Sequence, residues 1–221
     1  MARLLTFGCS FVYGQGLPDC FEPPHFPGLD PSKMGWPNIL ASKLNRECVN
    51  LSSPGIGNLS ILMSILETKY EPDDLVIIGY SFFDRLRCHR FLDMSDGEFY
   101  NIALHSDMHN DIIVKADSLN PYANQEYYWN NFLIFQHIEL FLNSKQIQNY
   151  SFHNVYKECQ HPKPNKFINL QNFWDDMDCV LKIYDNYPNM DLALDGMHPG
   201  IKSHTLQAEM IYNKLKQYEL H

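Results

Sequence analysis

The strongest constraint on this chain is an alternation. Apolar runs at residues 4–7, 48–51 and 75–80 are separated by two stretches whose apolar residues recur at helical spacing. Trp36, Ile39, Leu40 and Leu44 share one face of the first stretch, with Pro37 suited to its opening turn. Ile61, Leu62, Ile65 and Leu66 share a face of the second, at about residues 58–69. Strand–helix–strand–helix–strand predicts a parallel sheet with right-handed crossovers, and residues 75–80, apolar on both faces, read as its central strand. Ligands of such sheets bind beyond the C-terminal ends of the strands. The turns that follow these three runs are therefore the first places to look for chemistry.

The rest of the chain extends the pattern with one interruption. Residues 17–31 hold five prolines and read as irregular loop. Residues 85–126 break the alternation. They read as an insertion near the active edge, with a hairpin of residues 90–94 and 98–102 around Ser95-Asp96-Gly97. His105, Asp107, His109 and Asp111 within it lack strict ligand spacing, so polar loop is the reading and no metal is expected. Residues 127–143 predict a helix with an apolar stripe of Trp129, Phe132, Leu133, Ile138, Leu140 and Phe141. Residues 147–153 read as a fourth strand, 167–170 as a short extended piece, and 173–184 as a helix. A polar loop at 185–191 follows, then a last helix at 201–218 with Ile201, Leu206, Met210, Ile211 and Leu215 inward. With 221 residues and no linker or repeat, one domain is expected.

Composition narrows the function. A formal net charge of −9 argues against a broad nucleic-acid-binding surface. No eighteen-residue apolar run is present, so no membrane span is expected. The first strand follows Arg3 directly, leaving no room for a signal peptide, and a cytoplasmic location is expected. Six cysteines without C-x-x-C spacing read as free thiols in a reducing compartment.

The first strand ends in Gly8-Cys9-Ser10-Phe11-Val12-Tyr13-Gly14. Two readings fit this turn. Ser10 presents its hydroxyl at the sheet edge near free helix N–H groups, or it only caps the helix. Asp195-Gly196-Met197-His198-Pro199-Gly200 at the far end favours the first. An Asp and a His three apart on a tight loop can touch, the carboxylate accepting Nδ1–H and leaving Nε2 free to take a proton. Cys9 is a poorer nucleophile candidate, because strand alternation points it away from Ser10. The G-x-S-x-G elbow of the α/β-hydrolases is absent around Ser10.

Together with Asn50-Leu51-Ser52-Ser53-Pro54-Gly55 and Gly79-Tyr80-Ser81, these two motifs resemble the four blocks of the SGNH (GDSL-type) hydrolases, in the family's order and across most of the chain. The resemblance implies a three-layer α/β/α fold with a central, mainly parallel, flavodoxin-like sheet. It implies a Ser10–His198–Asp195 triad that needs no cofactor. Two positions depart from the family: Cys9 stands where an Asp usually precedes the nucleophile, and Ser81 stands at the Asn of the third block. The second departure bears on the oxyanion hole. Backbone N–H groups of Ser10 and Gly55 are the expected donors there. Asn58 is expected to supply the family's side-chain donation or share it with Ser81; the alternative is that Asn58 only caps its helix.

The function expected on this reading is hydrolysis of a small soluble ester through an acyl-enzyme, with O-acetylated carbohydrate as first choice of substrate. Two alternatives stay open: non-catalytic carbohydrate binding on a decayed hydrolase fold, and acyl transfer by the same triad. The partner expected is a small-molecule ester; oligomeric state is open.

Overall fold

The computed structural model describes residues 2–23, 26–81, 85–89, 99–103, 123–153 and 191–219. Its centre is a four-stranded parallel sheet of β1 (Arg3–Gly8), β4 (Glu47–Asn50), β5 (Leu75–Tyr80) and β8 (Gln148–His153), in the order β4-β1-β5-β8. Register runs from Arg3 beside Glu47, from Leu4 beside Leu75, and from Leu75 beside Gln148. Every residue of β5 is buried, as the unbroken apolar run requires.

Helices cover both faces. Leu5, Phe7, Val76, Ile78 and Tyr80 pack against Ile61 and Ile65 of α3 (Asn58–Glu67) and Phe135, Ile138 and Leu142 of α4 (Ala123–Ser144). On the other face Leu4, Leu75, Ile77 and Phe152 meet Trp36, Leu40 and Ala41 of α2 (Trp36–Leu44). Ala208, Ile211 and Leu215 of α5 (Ile201–Glu219) complete that layer. The result is three layers, α/β/α, as expected. The first strand in sequence lies inside the sheet and the second at its edge, so chain direction across the sheet reverses between β1 and β5. That is the topological switch point where open α/β sheets bind ligands. Ser10 follows one of these strands and Ser81 the other.

Several expectations need correction. The loop at 17–31 carries a two-residue antiparallel ladder, β2 (Phe21–Glu22) with β3 (Phe26–Pro27). The hairpin exists, but its first strand is β6 (Arg85–His89), paired antiparallel with β7 (Phe99–Ala103) from Arg85 beside Ala103 to His89 beside Phe99. The apolar residues after position 90 suggested a later strand. Residues 90–98 lie outside the described residues, as do the candidate ligands at 105–111, the extended piece at 167–170 and the helix at 173–184.

Helix phase differs too. On α4 the inward row is Asn131, Phe135, Ile138 and Leu142, while Leu133 and Leu140 are exposed. On α5 the inward row begins with Ser203, His204 and Gln207, and Ile201 is exposed. On α3 Ile61 and Ile65 are inward and Leu66 is exposed. No helix among the described residues is long and apolar enough to cross a membrane.

Candidate active site

The site begins where β1 ends. Gly8 has no room for a side chain: a Cβ there would stand 2.2 Å from Cγ2 of Val12 and 2.7 Å from the Gly79 carbonyl. The absence of one lets the chain turn at once into α1 (Ser10–Tyr13), whose N-cap is Cys9. Ser10 opens this single turn. Cys9 is fully buried in the core beside Phe7 and Phe11. Asn50, at the end of β4, braces the turn by donating its side-chain N–H to the Val12 carbonyl at 3.0 Å. Its carbonyl oxygen accepts the Ser52 N–H and hydroxyl. The Ser53 N–H then bonds the Gly8 carbonyl at 3.1 Å, drawing the 52–57 turn alongside the Ser10 turn. Within it Gly55 is exposed in the left-handed region at φ 73°.

The Asp195–His198 loop is held as a closed unit. Ala193 N–H bonds the His198 carbonyl and Gly200 N–H bonds the Asp191 carbonyl, both at 2.8 Å. Inside it the Asp195 carboxylate is fully used. Oδ1 accepts the backbone N–H groups of Met197 and His198, both at 3.0 Å, and Oδ2 lies 2.6 Å from His198 Nδ1. Burial alone would push this carboxyl up. The two N–H groups and the imidazole outweigh burial and hold it below its ordinary value. An ionised carboxylate only accepts, so His198 Nδ1 carries the proton of this hydrogen bond. The Asp195 side chain is 1% exposed and that of His198 14%, so the acid is shut away and the ring edge reaches solvent.

Two contacts bring this loop to the Ser10 turn. Phe11, the residue after Ser10, meets the His198 ring edge-on, with centroids 5.6 Å apart. Leu194 N–H bonds the Gly16 carbonyl at 2.9 Å. Gly16 sits at φ 84°, and a Cβ there would lie 2.6 Å from the Asp195 carboxyl carbon. The sequence reading missed Gly16; its only signal was a second glycine two positions after Gly14. It missed Asp191 as well, whose carboxylate caps α5 through the N–H groups of Lys202 at 3.1 Å and Ser203 at 2.9 Å.

The third edge of the site departs from expectation. Asn58 is buried, and its amide is engaged within the protein: Nδ2 donates to the Ser81 carbonyl at 3.1 Å and to Asn131 Oδ1 at 2.7 Å, while Oδ1 accepts the Ser81 N–H at 2.7 Å. The Ser81 N–H can only donate and its carbonyl only accept, so the orientation of the amide is determined. Both N–H bonds of Asn58 are committed. An oxyanion-donor role for Asn58 would require one of these bonds to give way. Asn58 is not a side-chain helix cap, since α3 starts from Gly57 without one. Ser81 is buried directly after the end of β5.

No family model matches the sequence, and no curated protein matches it. Solved structures do. A carbohydrate esterase, reported for an active site with divergent catalytic and non-catalytic binding functions, is similar with a TM-score of 0.58 at 13% identity, over 98% of this chain and 65% of that one. The chain thus spans less than two thirds of that esterase's length. An acetyl xylan esterase from the rumen bacterium Butyrivibrio proteoclasticus gives a TM-score of 0.46 at 14% identity, over 98% of this chain and 64% of that one. A member of the lipolytic protein G-D-S-L family from Veillonella parvula gives 0.36 at 11% identity, over 98% of this chain and 97% of that one. At these identities the likeness is one of fold. What is shared with the carbohydrate esterase is a central, mainly parallel sheet between helical layers.

Proposed function

We propose that the chain is a serine ester hydrolase in which Ser10, His198 and Asp195 act as a triad. The observation that carries the reading is the Asp195–His198 pair: an ionised, buried carboxylate with one oxygen held by two backbone N–H groups and the other on Nδ1. It stands beside the Ser10 turn at the switch point of the sheet. In the proposed reaction His198 Nε2 takes the Ser10 proton as Oγ bonds the ester carbonyl carbon. The tetrahedral intermediate collapses, its bond to the alcohol oxygen breaks, and the alcohol leaves with the proton from His198. Water, deprotonated by His198 in turn, then cleaves the acyl-Ser10 ester. The backbone N–H groups of Ser10 and Gly55 and the Ser81 hydroxyl are assigned to the oxyanion.

A small soluble ester is the substrate class, with O-acetylated carbohydrate as first choice; the fold likeness to a carbohydrate esterase supports it. The test is turnover of p-nitrophenyl acetate by the wild type and by Ser10→Ala, with a serine-directed phosphonate to locate the nucleophile. Turnover lost in the variant and label on the Ser10 peptide are expected. Equal rates above background in both proteins, or label on Cys9, would reject the triad; no turnover above background in either would favour carbohydrate binding without catalysis.

A further inference from the structure

We infer that Asn58 and Asn131 are positioning residues that set the oxyanion edge of the site through the backbone of Ser81. The inference deepens the esterase reading and rests on it. The sheet ladders stop short of Ser81: pairing with β1 ends at Gly79 and pairing with β8 at Tyr80. The next peptide still has an N–H and a C=O to satisfy, and both are buried with the residue. The Asn58 amide takes both, presenting an oxygen to the N–H and an N–H to the carbonyl, as a neighbouring strand would. Asn58 is the first residue of α3, three positions after Gly55. One side chain therefore ties the turn that carries the Gly55 N–H to the strand end that carries the Ser81 hydroxyl.

Asn131 completes the clamp. It enters from α4 with its Oδ1 on the second Asn58 N–H, in a position that is 4% exposed. Without that acceptor, the Asn58 amide would bury an unsatisfied N–H or turn to find a partner, and the turn would loosen its hold on Ser81. A polar residue at the head of the inward row Asn131, Phe135, Ile138 and Leu142 has this as its physical reason. The side-chain amide is retained at this edge, but it holds the donor in place instead of donating itself.

The experiment is a double-mutant cycle on p-nitrophenyl acetate with Ser81→Ala, Asn131→Leu and their combination, read alongside amide hydrogen exchange at Ser81. Ser81→Ala should lower kcat by about 10²-fold with little change in KM. Asn131→Leu should lower kcat by roughly 10-fold to 100-fold through misplacement, again with KM held. In the combination the second loss should all but vanish, because Asn131 acts through the hydroxyl already removed. Exchange at the Ser81 amide should rise at least roughly tenfold in Asn131→Leu, while amides in the middle of β5 keep their protection. Asn131→Asp retains an acceptor oxygen and should keep both Ser81 protection and most of kcat. Losses that multiply, an unchanged Ser81 exchange rate, or equal damage from Asp and Leu would each overturn the assignment. If turnover proves independent of Ser10, the esterase reading falls instead, and the exchange measurements alone decide whether the clamp exists.

Discussion

Asp195 shows how much one carboxylate can determine. Its two oxygens have different partners, and neither partner is interchangeable. The N–H groups of Met197 and His198 can only donate, so whatever replaces Asp195 must keep an oxygen facing them. In Asp195→Asn the carbonyl oxygen stays there and the NH2 turns toward His198 Nδ1. The imidazole must then accept at Nδ1 and carry its proton on Nε2, where it cannot receive the Ser10 proton. We expect Asp195→Asn to fold and to lose kcat by about 10⁴-fold on p-nitrophenyl acetate, the scale known for a wrong-tautomer triad. A loss below tenfold would mean that His198 is not the base. The spacing of Asp195 and His198 was legible because a three-residue separation on a tight loop permits the contact. Gly16 was not, since its need to be glycine comes from a carboxylate 179 positions away in the chain.

At the scale of elements, the seam between α2 and α5 is where helix periodicity misled. A row of Ile201, Leu206, Met210, Ile211 and Leu215 is the apolar choice, yet Ser203, His204 and Gln207 take the buried face of the first turns. The reason is a local debt of hydrogen bonds. The Trp36 N–H, free at the start of α2, finds its acceptor in His204 Nδ1 at 3.2 Å. An analogous need puts Asn131 inward on α4. Hydrophobic pattern reports apolar burial and is silent on such partnerships. His204 also makes stability depend on pH. Burial lowers its pKa from 6.5 to about 4. Between those values the unfolded chain binds a proton that the folded chain refuses, so stability falls as pH drops from 6.5 to 4 and levels off below. The shift corresponds to about 3 kcal/mol. Asp74, Asp191 and Asp195, all held below their ordinary values, shed their stabilisation only at lower pH. In His204→Asn the side-chain oxygen replaces Nδ1 as acceptor for Trp36, and nothing titrates. Unfolding free energy measured by urea from pH 7 to 4.5 should then lose most of its slope relative to wild type. Parallel slopes would show that His204 is charged in the folded protein.

Across the whole molecule, the sheet was legible because each of its strands alternates with a helix and β5 is apolar throughout. The sheet order then places the ends of β1 and β5 at the switch point, and Ser10 and Ser81 follow those two strands. Directly after Ser81 come β6 and β7, and β6 packs alongside α3, the helix that opens with Asn58. The pairing of His89 with Phe99 closes the described part of the hairpin. The insertion at 85–126 follows Ser81 in the chain, at the strand end nearest the proposed oxyanion donors. We therefore expect residues 90–98 to set selectivity while leaving the chemical step alone. Replacing them by Asn-Gly, a two-residue turn matched to the strand twist, keeps the His89–Phe99 pair. The variant should retain its melting temperature within a few degrees and its Ser10-dependent turnover of p-nitrophenyl acetate. Across acetyl, butyryl and sugar acetate esters, relative kcat/KM should shift by roughly tenfold, the equivalent of about 1.4 kcal/mol in differential transition-state binding. An unchanged rank order and ratio over that panel would reduce the segment to a connection between two strands, and selectivity would then have to come from the turns at Ser10 and Gly55 themselves.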